Sequence, residues 1–154
     1  MLSGVDISES GSMEQDVLHY ELLENRVNEE LTNHGNAIVV DCHSFPNVLL
    51  PCDTDQELAR PDFCIGTDSF YTPSGPILSC KQKIVNKGYS VQLNKSYKGT
   101  LVPFEFYKLE PQVKSIMIEV NSSLYMDENS GIKTASFQNM KRDNNKLFCS
   151  IAMF

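Results

Sequence analysis

One stretch constrains this chain more than any other: Ala37-Ile38-Val39-Val40-Asp41-Cys42-His43-Ser44-Phe45-Pro46. A short, unbroken apolar run predicts a strand buried on both faces. Polar residues follow at its carboxyl end, and Phe45-Pro46 stops it. In open α/β sheets ligands bind at that end. His43 is placed there to serve as a metal ligand, since a neutral imidazole offers one nitrogen and the strand end fixes its direction. The competing reading is an ordinary loop histidine. Asp41 lies two residues away and therefore on the same face. It is either a partner orienting His43 or a strand-end cap.

The surrounding sequence reads as an α/β alternation. Tyr20, Leu23, Val27 and Leu31 recur at three- and four-residue steps and predict a helix from about Glu14, stopped by Gly35. Residues 1–13 show no apolar period and are expected to be mobile. Residues 14–154 are expected to form a single domain. Asn47 to Ala59 reads as a loop, broken by Pro51, Asp53 and Asp55. Phe63-Cys64-Ile65-Gly66 predicts a second strand. Thr72-Pro73 reads as a helix cap with proline at the first helical position, and Ile77, Cys80 and Ile84 as that helix's buried stripe. Tyr89 to Leu93 predicts a third strand and Leu101 to Tyr107 a short edge strand or hairpin arm. Ser115 to Asn121 predicts a fourth strand. Phe137, Met140, Leu147 and Ile151 predict a last helix covering the sheet.

At 154 residues the chain is one domain by length, and roughly 70% of its unfolded surface can be buried. Its net charge of −7 argues against a nucleic-acid groove, and Lys81, Lys83 and Lys87 read as a solvated helix face. No apolar run reaches the ~20 residues of a membrane span. The five cysteines form no Cys-x-x-Cys pair, which suggests neither a disulfide framework nor a zinc knuckle. Cys42 and Cys64 read as packed thiols. A reduced, cytoplasmic setting is expected.

Glu119 stands between Ile118 and Val120 inside an apolar strand, where an ionised carboxylate is costly unless paired or bound to metal. It is either a salt-bridged structural acid or a general base with a tuned pKa. Asn121 shares its sheet face, to hold a water or substrate group or to start a turn. Arg60 can clamp a carboxylate or lie solvated in its loop. Tyr97-Lys98-Gly99-Thr100 can offer backbone N–H groups to an oxyanion or be a plain turn.

These segments, in this order, resemble the N-formylglutamate amidohydrolase family. The matching stretches are Val40 to Pro46, Arg60 to Asp68, Asn94 to Pro103, and Ile116 to Glu128. The resemblance implies a three-layer α/β/α domain with a central mixed sheet, phosphorylase/hydrolase-like and similar to the zinc carboxypeptidases. It implies a zinc ion held by two histidines and a glutamate, with His43 as the last ligand and Glu119 as the acid that activates the bound water. Asp41 then supports His43. Substrate binding falls to Arg60, Asn94, Tyr97, Lys98, Gly99 and Asn121. The implied reaction is hydrolysis of an N-acyl amide, such as N-formyl-L-glutamate to formate and L-glutamate. The expected partner is that small N-acyl amino acid, with no nucleic acid and no membrane. The chain departs from the family pattern in three places. No His-x-x-Glu pair precedes the first helix. Ser122 stands where the family usually has arginine, and Ser96 where it usually has proline. The chain is therefore expected to be the carboxyl-terminal part of a family member, either incomplete at its start or a non-catalytic remnant or binding domain. An open sheet edge is expected to make it self-associate, through the third strand or Phe104 to Tyr107.

Overall fold

The computed structural model describes residues 13–51 (the first four as backbone), 56 and 59–152. The expected mobile segment lies outside the described residues apart from Met13, as do Cys52, Asp53 and Asp55. The chain order is α1 (Met13–His34), β1 (Ala37–Phe45), β2 (Phe63–Gly66), α2 (Ser74–Asn86), β3 (Val91–Leu93), β4 (Val113–Asn121) and α3 (Phe137–Ile151).

The four strands form one mixed sheet in the order β1-β4-β2-β3. β1 runs parallel to β4 along its whole length, β2 is antiparallel to β4, and β3 is parallel to β2. Strand alternation divides β4 between two cores. Ile116, Ile118 and Val120 pack with Phe63 and Ile65 against Cys80 and Ile84 of α2 and Met140, Leu147 and Ile151 of α3. Val113 faces the other way and packs with Ala37, Val39 and Phe106 against Val27 of α1, with Leu23 and Leu31 beside it. Each fully buried aliphatic side chain contributes about 1.5–3 kcal/mol. Helices thus cover both faces, giving the three-layer α/β/α architecture.

The helix ends follow local chemistry. Gly35 takes φ +73° and donates its N–H to the Leu31 carbonyl (2.9 Å), which closes α1. α2 begins one residue later than the Thr72-Pro73 pair suggests. Pro73 is its cap, and Thr72 instead donates its hydroxyl to the Ser115 carbonyl (2.7 Å) and ties the loop to β4.

Two expectations are corrected. Leu101 to Tyr107 contains no strand; Phe104–Phe106 form a single 3-10 turn. Pro103 and Phe106, three apart, are buried while Phe104 is 88% exposed, a period of three rather than two. This run therefore offers no edge for pairing. Cys42 is exposed rather than packed. β1 is an edge strand and α3 stops short of it, which leaves an open cleft of ≈ 620 Å³ lined by Cys42, Ile118, Val120, Met140 and Phe148. On the α1 face of β1, Ala37, Val39 and Phe45 are buried, and His43 between them is open. The sheet's other edge is the three-residue β3.

Candidate functional site

The site lies on the α1 face of the sheet, beyond the reach of α1, at the carboxyl ends of β1 and β4. Parallel pairing puts His43 opposite Glu119 and Phe45 opposite Asn121. Antiparallel pairing puts Cys64 of β2 opposite Glu119 on its other side. His43, Glu119 and Cys64 therefore form one row across three strands.

His43 Nε2 lies 2.7 Å from Asp41 Oδ1. The side chain of His43 is 52% exposed and that of Asp41 only 15%. A period of two makes the pair possible without a third element. Glu119 is buried, and its Oε2 has no hydrogen-bond partner among the described residues. Burial raises its carboxyl pKa above the ordinary value. The charge of His43 pulls it back, Asp41 raises it further and Arg60 lowers it. Cys64 is fully buried, donates to the Lys95 carbonyl, and is likewise pushed up by burial.

Arg60 is held rather than solvated. Its guanidinium donates to the Pro46 carbonyl (3.0 Å) and to the Tyr97 hydroxyl (2.9 Å). It stacks over the Phe45 ring at 4.9 Å, and Phe45 and Tyr97 lie 5.3 Å apart. Arg60 thus joins the loop after β1, the approach to β2 and the loop after β3 into one wall. Phe45 and Pro46 in this wall are separated from Tyr97 by some fifty positions, and no local pattern announces the contact.

The two asparagines of the expected binding set are engaged internally. Asn94, at φ +53°, accepts from the Thr67 N–H (2.8 Å) and donates to the Thr67 hydroxyl (2.7 Å), clasping the loop after β2. Asn121 donates to Asn47 Oδ1 (3.0 Å) and accepts from the Ser123 N–H (3.1 Å) and hydroxyl (2.8 Å), so it caps the turn after β4. Lys98 is exposed at the tip of the β3 loop. Gly99 has φ +97°, and its carbonyl oxygen lies against Gly66, where a Cβ would meet it at 2.5 Å.

Both substituted family positions have a structural meaning. Ser96 sits at φ +63°, a conformation closed to proline, whose ring fixes φ near −65°. The loop carrying Tyr97 therefore follows a path that proline forbids. Ser122 is buried, and its hydroxyl lies 2.5 Å from Glu128 Oε1 and 3.1 Å from the Phe45 carbonyl. The same Glu128 oxygen accepts from the Asn47 N–H (2.7 Å). A compact hydrogen-bonded knot occupies the place where the family usually carries a guanidinium.

Zinc does not fit this donor set. Among the described residues no group of three His, Cys, Asp or Glu side chains is arranged to hold a metal ion. A protein zinc site needs at least three such ligands. None of the described helices is long and apolar enough to cross a membrane.

The mixed sheet, its two helical layers and the polar row at the strand ends define an α/β domain of the amidohydrolase type. A sequence profile of the N-formylglutamate amidohydrolase family matches residues 19–126. The chain belongs to that family. It is similar to the crystal structure of N-formylglutamate amidohydrolase from Ralstonia eutropha JMP134, with a TM-score of 0.73 and 23% identity over 89% of this chain. It spans about half of that protein, 50% of its length. A gene product from Agrobacterium tumefaciens is also similar, at 18% identity and a TM-score of 0.48, over 93% of this chain and 57% of that one. No curated protein matches the chain.

Proposed function

We propose that this chain acts as a binding domain of the N-formylglutamate amidohydrolase family that does not hydrolyse its ligand unaided. The observation that carries this reading is the closed His43–Asp41 pair, 2.7 Å apart, with no third metal-ligating side chain arranged beside it among the described residues. The ligand is a small N-acyl amino acid, taken at the strand ends between His43, the Arg60 wall and Lys98. Arg60 shapes that wall, since its guanidinium nitrogens already serve Pro46 and Tyr97. Lys98 is the cation offered to the ligand's carboxylate.

One observation favours a second reading, in which the chain supplies part of a zinc amidohydrolase. Glu119 is a buried acid with an unpartnered oxygen and a raised pKa beside His43, the properties of a general base. In that reading the remaining ligands come from outside the described residues. A single experiment separates the two. The chain is incubated with N-formyl-L-glutamate, with and without zinc, and formate is measured alongside ligand binding by calorimetry. Binding with no formate, and no rise of the thermal midpoint with zinc, supports the binding domain. Zinc-dependent formate release that Glu119→Gln abolishes establishes the hydrolase.

A further inference from the structure

Charge is sorted between the two helical layers. α1 carries Glu21, Glu24, Glu29 and Glu30 against a single Arg26, which pairs with Glu29 at 2.6 Å and leaves the other three acids in excess. On the opposite side of the sheet, α2 and α3 carry Lys81, Lys83, Lys141, Arg142 and Lys146. The acid of that layer, Asp143, is taken up by Lys87 at 2.9 Å and faces Tyr89. A groove of ≈ 570 Å³ runs along α3 there, with Lys83, Lys141, Arg142 and Lys146 on its walls and no acidic side chain. In a chain of net charge −7, this concentration of cations on one face stands out.

The complementary surface is the outer face of α1. Leu23, Val27 and Leu31 face the sheet. At 3.6 residues per turn, Leu18, Glu21, Leu22 and Glu29 then point away from it. Leu18 is 55% and Leu22 41% exposed, and Glu21 and Glu29 are open to solvent. An i, i+4 leucine pair flanked by acids is what a helix laid into a basic groove presents.

We infer that the basic groove on α3 receives the Leu18–Glu29 face of α1 from a second copy of this chain. The two surfaces lie on opposite sides of the sheet, so the contact is head-to-tail and builds a closed ring or an open series according to the rotation between copies. It is independent of the strand-end site. The lysines meet Glu21 and Glu29, and their aliphatic stems cover Leu18 and Leu22.

Sedimentation velocity over a range of concentrations tests this, at about 0.1 M and about 1 M salt, where the screening length falls from about 10 to about 3 Å. The mass should rise with concentration at the lower salt and return to that of one chain at the higher. Lys141→Glu with Lys146→Glu, and separately Glu21→Lys with Glu29→Lys, should each remain monomeric, because all four positions are at the surface. An equimolar mixture of the two variants should associate again, since each supplies the surface the other needs. A wild-type chain that stays monomeric at the lower salt overturns the inference. So does association that neither salt nor either variant alters, which would place the contact elsewhere, on the β1 edge first.

Discussion

His43 and Glu119 are cross-strand partners: parallel pairing of β1 with β4 sets the exposed imidazole directly beside a buried carboxylate on the same sheet face. Each has a different fate. His43 turns to Asp41, two residues back on its own strand, whereas Glu119 keeps one oxygen without a hydrogen bond among the described residues. The strand ends thus hold an acid whose charge the fold leaves under-compensated. Such groups are costly to the folded state.

The first prediction concerns that cost. The folded pKa of Glu119 is raised above its unfolded value, so the native state binds the proton more tightly. Its penalty is absent below the unfolded pKa, grows as pH climbs toward the folded one, and is constant above it. Glu119→Gln should therefore stabilise the chain at neutral pH, on the order of 1 kcal/mol. It should also flatten the fall in stability on leaving the acid range. Urea unfolding of both proteins at several pH values measures this, and equal stabilities at neutral pH would show that the carboxylate is compensated after all.

A second prediction addresses the close approach of the β3 loop to β2. A Cβ on Gly66 would collide with the Met117 side chain and the Gly99 carbonyl oxygen. The backbone oxygen cannot swing aside as a side chain can. Gly66→Ala should cost about 1–3 kcal/mol, the range for overpacking a filled site. Denaturant midpoints report it. An unchanged midpoint would mean that the Lys98–Gly99 segment is free to move off the sheet.

The thiols provide a third. Cys80 is fully buried, and burial pushes its pKa to about 11. Cys64 is buried and bonded to the Lys95 carbonyl. Cys42 and Cys149 are exposed. Since the thiolate is the reactive form, a brief pulse of iodoacetamide should label Cys149 first; Cys42, exposed but with its pKa pushed up to about 11 by burial and by Asp41, should follow, ahead of the buried Cys64 and Cys80. Peptide mass spectrometry gives the order, and early labelling of Cys80 would contradict the packing of α2 on the sheet.

What the sequence determined by itself was local and periodic. The apolar runs at Ala37–Val40 and Ser115–Val120 and the stripe through Leu23, Val27 and Leu31 announce their elements, because hydrophobic spacing is set by strand and helix geometry. Glu119 stood out for the same reason, as one charge in an apolar strand. Four short segments in family order were also legible, and they led to the family. The tertiary structure decided everything that depends on separation along the chain. Strand order β1-β4-β2-β3, with β2 reversed, is what brings Cys64 to Glu119, and nothing in either segment encodes that pairing. Arg60 read as a carboxylate clamp or a solvated loop residue; Phe45, Pro46 and Tyr97 close around it, a contact that local spacing does not encode. Asn94 and Asn121 read as binding groups, yet their polar atoms tie the loops that hold them: Asn94 does so at the surface, while Asn121 is buried and must find partners where the fold supplies them. Periodicity records which face a residue shows to the core; only the assembled sheet decides which distant side chains share that face.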